Sequence, residues 1–138
     1  MSEENKAVIR RVREEGPANP QILEGLYASD YAYHGGQIFG EHRGSEAFKN
    51  IVAGYGAVLS GMRERVQDQI AEGDKVVTRF SGSGKHTGDL FGVAPSGKEL
   101  TWTGTVISRF KDGLIAEEWV EADAAGLMAQ LGLVNLGG

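Results

Sequence analysis

Residues able to do acid–base chemistry concentrate in one stretch of this chain, EEWVEADAAGLMAQLG, residues 117–132. Glu117, Glu118, Glu121 and Asp123 surround Trp119 there. Asp123 follows Trp119 by four positions and immediately precedes a helix-like run. In an extended strand that spacing returns to the same face, so the indole and the carboxyl would share one wall. Desolvation beside an indole raises a carboxyl's pKa toward the range where it can both give and take a proton. Asp before AAGLMAQL is also a favoured helix N-cap, worth about 1 kcal/mol. Both readings of Asp123 stand at this level.

The chain has three histidines. His34 ends the aromatic run YAYH, just before Gly35 and Gly36. His86 alternates onto the same strand face as Phe80. His42 lies between Glu41 and Arg43 in a polar loop and reads as solvent-exposed. None of the three has the HxH or i, i+4 spacing of a metal site, so no metal is expected. The chain has no cysteine, which excludes disulfides, thiolate ligands and cysteine nucleophiles. GSGKHTG superficially looks like a phosphate loop, but it lacks the Walker spacing and a following helix.

These residues need elements to hold them. Ala7, Val8, Ile9 and Val12 give an N-terminal helix an apolar stripe, ended by Gly16-Pro17. On that helix Arg10, Arg11 and Arg13, offset by Glu14 and Glu15, read as a solvated face. Asn19-Pro20 opens a second short helix through ILEGLYASD, and YAYHGG reads as a short strand and turn. A third helix, with Ser45 as its cap, places Phe48, Ile51, Val52, Tyr55 and Leu59 on one buried face. From residue 62 the hydrophobic period shortens to two. Two strands joined at EGDK are followed by two joined at KDG, a strong hairpin signal.

Alternation puts Val76, Thr78, Phe80, Gly82, Gly84 and His86 on one face, and Trp102, Gly104, Val106, Ser108 and Phe110 on one face of the next strand. It also puts Ile115, Glu117, Trp119, Glu121 and Asp123 together, with Glu118 and Val120 opposite. So many acids cannot face an apolar interior unpaired, which points to a bulge or a splayed strand end. The glycines at 82, 84 and 104 leave room or permit sheet coiling.

Helices followed by antiparallel strands make an α+β fold of one domain, residues 1–138, with helices on one face of a curved sheet around a cavity. A formal charge of −5 and a pI near 5.2 argue against a nucleic-acid footprint. No apolar run approaches the ~20 residues of a membrane span, and a cytoplasmic location is expected.

The stretch GSGKHTGDLFGVAPSGKELTWTGTVISRFKDGLIAEEWVEADAAGLMAQLG resembles the SnoaL-like polyketide cyclases (ester cyclases) of the nuclear-transport-factor-2-like fold. The resemblance rests on HTG-x-LFG-x-x-PSGK, the RFKDGLIAEEW hairpin and the W-x-x-x-D-x-x-G-L-x-x-Q-L-G ending. It implies a cone-shaped antiparallel or mixed sheet with the N-terminal helices on its concave face, and a cofactor-independent, commonly oligomeric protein, here a homodimer or homotetramer. It also implies intramolecular aldol closure of an aromatic polyketide ester. On this resemblance Asp123 is the general acid/base and His34 its pocket companion. Trp119, His86, Trp102, Phe80, Phe39 and Tyr55 are the candidates for an aromatic-lined wall that binds a hydrophobic substrate. The rival readings are an isomerase, dehydratase or epoxide-opening enzyme on a small apolar substrate, and a hydrophobic-ligand-binding module.

Overall fold

A computed structural model of the chain describes residues 2–137. The N-terminal helix, α1 (Ser2–Glu15), buries Ile9 completely, and Val8 and Val12 pack beside it. Pro20–Leu23 forms a single 3-10 turn, shorter than the helix its sequence implies. The YASD that would have extended that helix instead begins β1 (Tyr27–His34). The β-favouring aromatic and buried positions of YASDYAYH prevail over the proline start signal.

The segment after β1 also differs from the expected loop. It holds a one-turn helix, α2 (Gly36–Phe39), and a three-residue strand, β2 (Glu41–Arg43). Helix α3 (Ala47–Val58) follows, with Ala47 and Phe48 buried. Ser45 lies in the turn before it, and the cap position is Glu46, which makes no side-chain capping bond.

Four long elements complete the sheet: β3 (Leu59–Glu72), β4 (Lys75–His86), β5 (Glu99–Lys111) and β6 (Leu114–Ala122). The β5–β6 turn places Asp112 at φ 53° and Gly113 at φ 79°, the left-handed pair that a type I′ hairpin demands. Helix α4 (Ala124–Gln130) follows β6. The six-stranded sheet runs β2-β1-β6-β5-β4-β3. It is antiparallel apart from the β1–β6 pair, which is parallel, so the sheet is mixed, curved and unclosed. The core lies on its concave side, under α1 and α3, with Ile9, Tyr31, Val76, Val106 and Ile115 buried there.

The faces of β4 and β5 follow simple alternation: Val76, Thr78, Phe80 and His86 are buried, as are Val106, Ser108 and Phe110. Glycine makes two close approaches possible. A Cβ on Gly82 would overlap the Trp102 indole, and one on Gly104 would come within 2.6 Å of the Phe80 ring. Each ring thus lies across the glycine paired with it, Gly82↔Trp102 and Phe80↔Gly104. The space left by the missing side chains is filled by aromatic rings.

On β6 the expected face is corrected. Phe110 pairs with Ile115, but Arg109 pairs with Glu117, so Ala116 is an extra residue in the ladder. This bulge reverses the parity beyond it. Glu118, Val120 and Ala122, partnered by Ser108, Val106 and Gly104, turn inward, while Glu117, Trp119 and Glu121 turn outward.

Candidate functional site

The concave side encloses a cavity of about 450 Å³ between the sheet, α3, α2 and the loop after β4. Its walls are mainly aromatic and aliphatic, including Phe39, Tyr55, Phe80, Phe91, Trp102 and Leu127. A narrower chamber of about 180 Å³ adjoins it and shares Arg13, Tyr33, Tyr55 and Glu64 with it. That chamber ends on Tyr27, Tyr31 and Glu118.

The polar groups gather where the two spaces meet. Helix α1 delivers Arg13, whose Nη1 donates to Glu64 Oε1 at 2.9 Å. The two side chains are only 13% and 5% exposed. Trp102 Nε1 donates to the other oxygen, Glu64 Oε2, at 3.3 Å, and the guanidinium lies 4.3 Å from the centre of the Phe80 ring, within cation–π range. Burial opposes the charge on Arg13, but the nearby Glu64 and Glu118 carboxylates outweigh it and hold the guanidinium protonated.

The Tyr33 and Tyr55 hydroxyls stand 3.3 Å apart. Burial, followed by their mutual proximity, pushes Tyr33 well above the ordinary tyrosine value. Tyr55 is raised too, chiefly by burial. Both therefore stay protonated and serve as donors. Glu118 is buried with both oxygens occupied, accepting from Tyr31 Oη at 2.7 Å and from Ser108 Oγ at 2.6 Å.

The structure sorts the residues singled out from the sequence into two groups. Trp102, Phe80, Phe39 and Tyr55 line the cavity. Asp123, His34, Trp119 and His86 do not line it. Asp123 is an exposed N-cap: its Oδ1 accepts from Gly126 N at 2.8 Å. Neither Asp123 nor Trp119 enters the cavity wall: the bulge at Ala116 turns Trp119 outward, and β6 ends at Ala122, so Asp123 leaves the strand to cap α4.

His34 lies outside for a related reason. Tyr31 and Tyr33 of β1 are buried inward, so the next residue points to the convex face. There His34 stacks on Trp119, with ring centres 5.6 Å apart. His86 is fully buried but anchors the loop that follows it. Its Nδ1 accepts from Ser96 N at 3.2 Å, with Ser96 Oγ 2.8 Å away.

Sequence reasoning passed over several cavity residues, among them Tyr33, inward-facing on β1, and three with polar side chains that it read as exposed or did not single out. His42, expected in solvent, pairs with inward-facing Tyr33 and lines the cavity. Its Nε2 donates to the Phe39 carbonyl at 3.1 Å. Arg13, read as part of a solvated face, follows buried Ile9 by one helical turn, and that spacing was the available signal. Glu64 alternates with Met62 and buried Val66, a period-two pattern that marks it as inward. No group of three or more metal-ligating side chains converges among the described residues.

The model of the SnoaL-like polyketide cyclase family matches residues 7–131. The chain belongs to that family. Among solved structures, TsrD from Streptomyces laurentii superposes with a TM-score of 0.81 at 25% identity, covering 97% of this chain and 98% of that one. IdmH from Streptomyces antibioticus, provisionally assigned as a polyketide cyclase, superposes with a TM-score of 0.78 at 27% identity, covering 94% and 98%. A protein from Jannaschia sp. CCS1, provisionally assigned as a SnoaL-like polyketide cyclase, gives a TM-score of 0.84 at 19% identity, covering 97% and 95%, and speaks for the fold. No curated protein matches the sequence. None of the described helices is long and apolar enough to cross a membrane.

Proposed function

We propose that this member of the family closes a ring in a polyketide-type ester by intramolecular aldol chemistry, without a cofactor, in the 450 Å³ cavity. The observation that carries the reading is the juxtaposition, at the inner end of an apolar space, of the Glu64 carboxylate with two protonated tyrosines. A carboxylate in a water-poor wall is a base toward a carbon acid. Glu64 takes the proton beside the substrate carbonyl, and the resulting enolate forms the carbon–carbon bond at the second carbonyl. The π electrons of that carbonyl move onto its oxygen, which takes a proton from the Tyr33–Tyr55 pair. The proton held by Glu64 returns through solvent to the tyrosines, so the product is an isomer of the substrate.

Arg13 donates one hydrogen bond to Glu64, and its other N–H groups are available to hold the enolate oxygen. The aromatic walls fold the chain into a near-attack arrangement. This assigns acid–base work to Glu64 rather than to Asp123.

The test is turnover of an anthraquinone-precursor ester, with the isomeric product resolved by chromatography. Glu64→Gln is expected to lower kcat by roughly 10²–10⁴-fold in a folded protein. Asp123→Ala is expected to keep turnover while losing about 1 kcal/mol of stability with its cap. The opposite pattern would return the base role to Asp123. Tight binding of the ester with no turnover by wild type would identify a ligand-binding module instead.

A further inference from the structure

The second feature with its own chemistry lies on the convex face, away from the cavity. Four strands contribute side chains to one row: Glu41 on β2, His34 on β1, Glu117 on β6 and Arg109 on β5. His34 Nδ1 stands 2.7 Å from Glu41 Oε1, and its Nε2 stands 2.7 Å from Glu117 Oε2. A carboxylate oxygen accepts hydrogen bonds and donates none, so both ring nitrogens must carry hydrogens. The geometry is that of an imidazolium between two carboxylates. Arg109 holds the far side of the row, reaching Glu117 Oε1 with Nε at 3.3 Å and Nη2 at 3.2 Å.

The row ends on the weakest part of the sheet. Strand β2 is three residues long and lies at the sheet edge. It follows α2, and both are bounded by glycines in the left-handed region, Gly36 at φ 69°, Gly40 at 73° and Gly44 at 98°. Yet this segment supplies Ile38, Phe39 and His42 to the cavity wall. Phe39 meets Tyr55 edge-on at 6.1 Å, and His42 meets Tyr33 edge-on at 5.6 Å.

We propose that His34 is a positioning residue: its imidazolium ties β2 to β6 through Glu41 and Glu117, and so holds Phe39 and His42 in the cavity wall. A neutral ring has only one N–H. Glu117 keeps Arg109 whichever way the ring is protonated, whereas Glu41 has no other side-chain partner among the described hydrogen bonds and ion pairs. With the hydrogen retained toward Glu117, Nδ1 presents a lone pair to Glu41, and that carboxylate moves to solvent. The edge strand then keeps its backbone pairing to β1 and the His42–Tyr33 contact but has lost its side-chain tie to β6, and the wall loosens.

The titration runs in the direction this requires. The hydrogen bond to Glu117 raises His34 above its ordinary value of 6.5, against a smaller opposing desolvation, and Glu41 adds to the rise. The groups facing the ring are Glu41 from β2, Glu117 from β6 with Arg109 behind it on β5, and the uncharged Trp119.

The inference rests on the cavity being the working site, but its test needs no turnover. Binding of the neutral dye Nile red is measured across pH beside an NMR titration of the His34 ring and hydrogen exchange of the 36–43 amides, corrected for intrinsic rate. Wild-type Kd is expected to rise about fivefold through the His34 transition, as the closed wall falls to about a fifth of the population. Amide exchange at 36–43 should quicken in step. Glu41→Gln should abolish the pH dependence of both while His34 still titrates, and His34→Gln should bind like wild type at high pH throughout. A flat wild-type profile through the His34 titration, or an unchanged profile in Glu41→Gln, overturns the proposal. Failure of the aldol assay alone would leave these readouts standing.

Discussion

Glu118 and Asp123 lie five residues apart and show how differently two carboxylates can be used. Glu118 is buried at the end of the narrow chamber and is satisfied by two hydroxyl donors. Glu118→Gln keeps the volume but can accept from only one of them, turning an amide N–H₂ toward the other. The loss is expected to be about 1–3 kcal/mol, the cost of an unsatisfied buried donor, read as a lower denaturant midpoint at unchanged slope. Asp123, by contrast, is exposed and works locally. Its carboxylate fills the space where a Gly126 side chain would stand, so the D-x-x-G spacing is that of a cap and the clearance it needs. Leu127, one residue on, is buried against the cavity. The aspartate and glycine that make the C-terminal motif recognisable form a helix cap and its clearance.

At the level of elements, α4 completes the sheet. Strand β6 ends opposite Gly104, which leaves the start of β5 without a neighbour on that side. Gln130 substitutes for one: its Oε1 accepts from Thr101 N at 2.8 Å and its Nε2 donates to Thr101 O at 2.7 Å. A side-chain amide thus imitates a strand and closes a bare edge. Gln130→Ala should cost about 1 kcal/mol and should raise hydrogen exchange at Thr101 selectively, leaving β4–β5 amides near Val106 protected.

The long strands, the KDG hairpin and helix α4 were legible because each carries a strong local signal, alternation in β4 and β5 or a left-handed turn pair at 112–113. The second helix was not. Its proline start was real, but tertiary pairing of Tyr27 with β6 drew YASD into the sheet. The site was half legible for the same kind of reason. Aromatic residues on clean alternation, Phe80 and Trp102, were placed on the right face. Residues past Ala116 were not: the crowding of acids on one face pointed to a bulge or a splayed end, but nothing in the sequence marked Ala116 as the extra residue. Arg13 and Glu64 were hidden by charge, which ordinarily signals solvent and here signals a buried pair.

The whole molecule feels the convex row through pH. His34 is raised when folded, so its contribution to stability is complete below its ordinary 6.5 and disappears as pH rises through the higher folded value. Glu117 is lowered, first by its bond to His34 and then by Arg109. Its contribution is complete above its ordinary 4.5 and disappears as pH falls through the lower folded value. Stability from this row is therefore full between about 4.5 and 6.5. Thermal melts of wild type should decline above that window more than those of His34→Gln. An equal decline would remove the row from the stability balance.

The same face bears on assembly. Thr103, Thr105 and Ile107 give the convex face a threonine-rich surface beside half-buried Trp119, and we propose that copies of the chain pair there. Concentration-dependent sizing of wild type against Ile107→Lys checks it, with the variant expected to run smaller.

The single extra residue at Ala116 has a further consequence, for descent rather than for stability. Beyond it, every side chain of β6 changes its address without changing its identity. A lineage that moved this insertion along the strand, or lost it, would exchange Glu118 and Val120 for Glu117 and Trp119 in the interior at one stroke. Relatives could then differ in what their cavities hold while their sequences still line up residue for residue. Roles in this strand are inherited by position relative to the bulge, so transferring them between relatives requires counting from Ala116 rather than from a conserved letter.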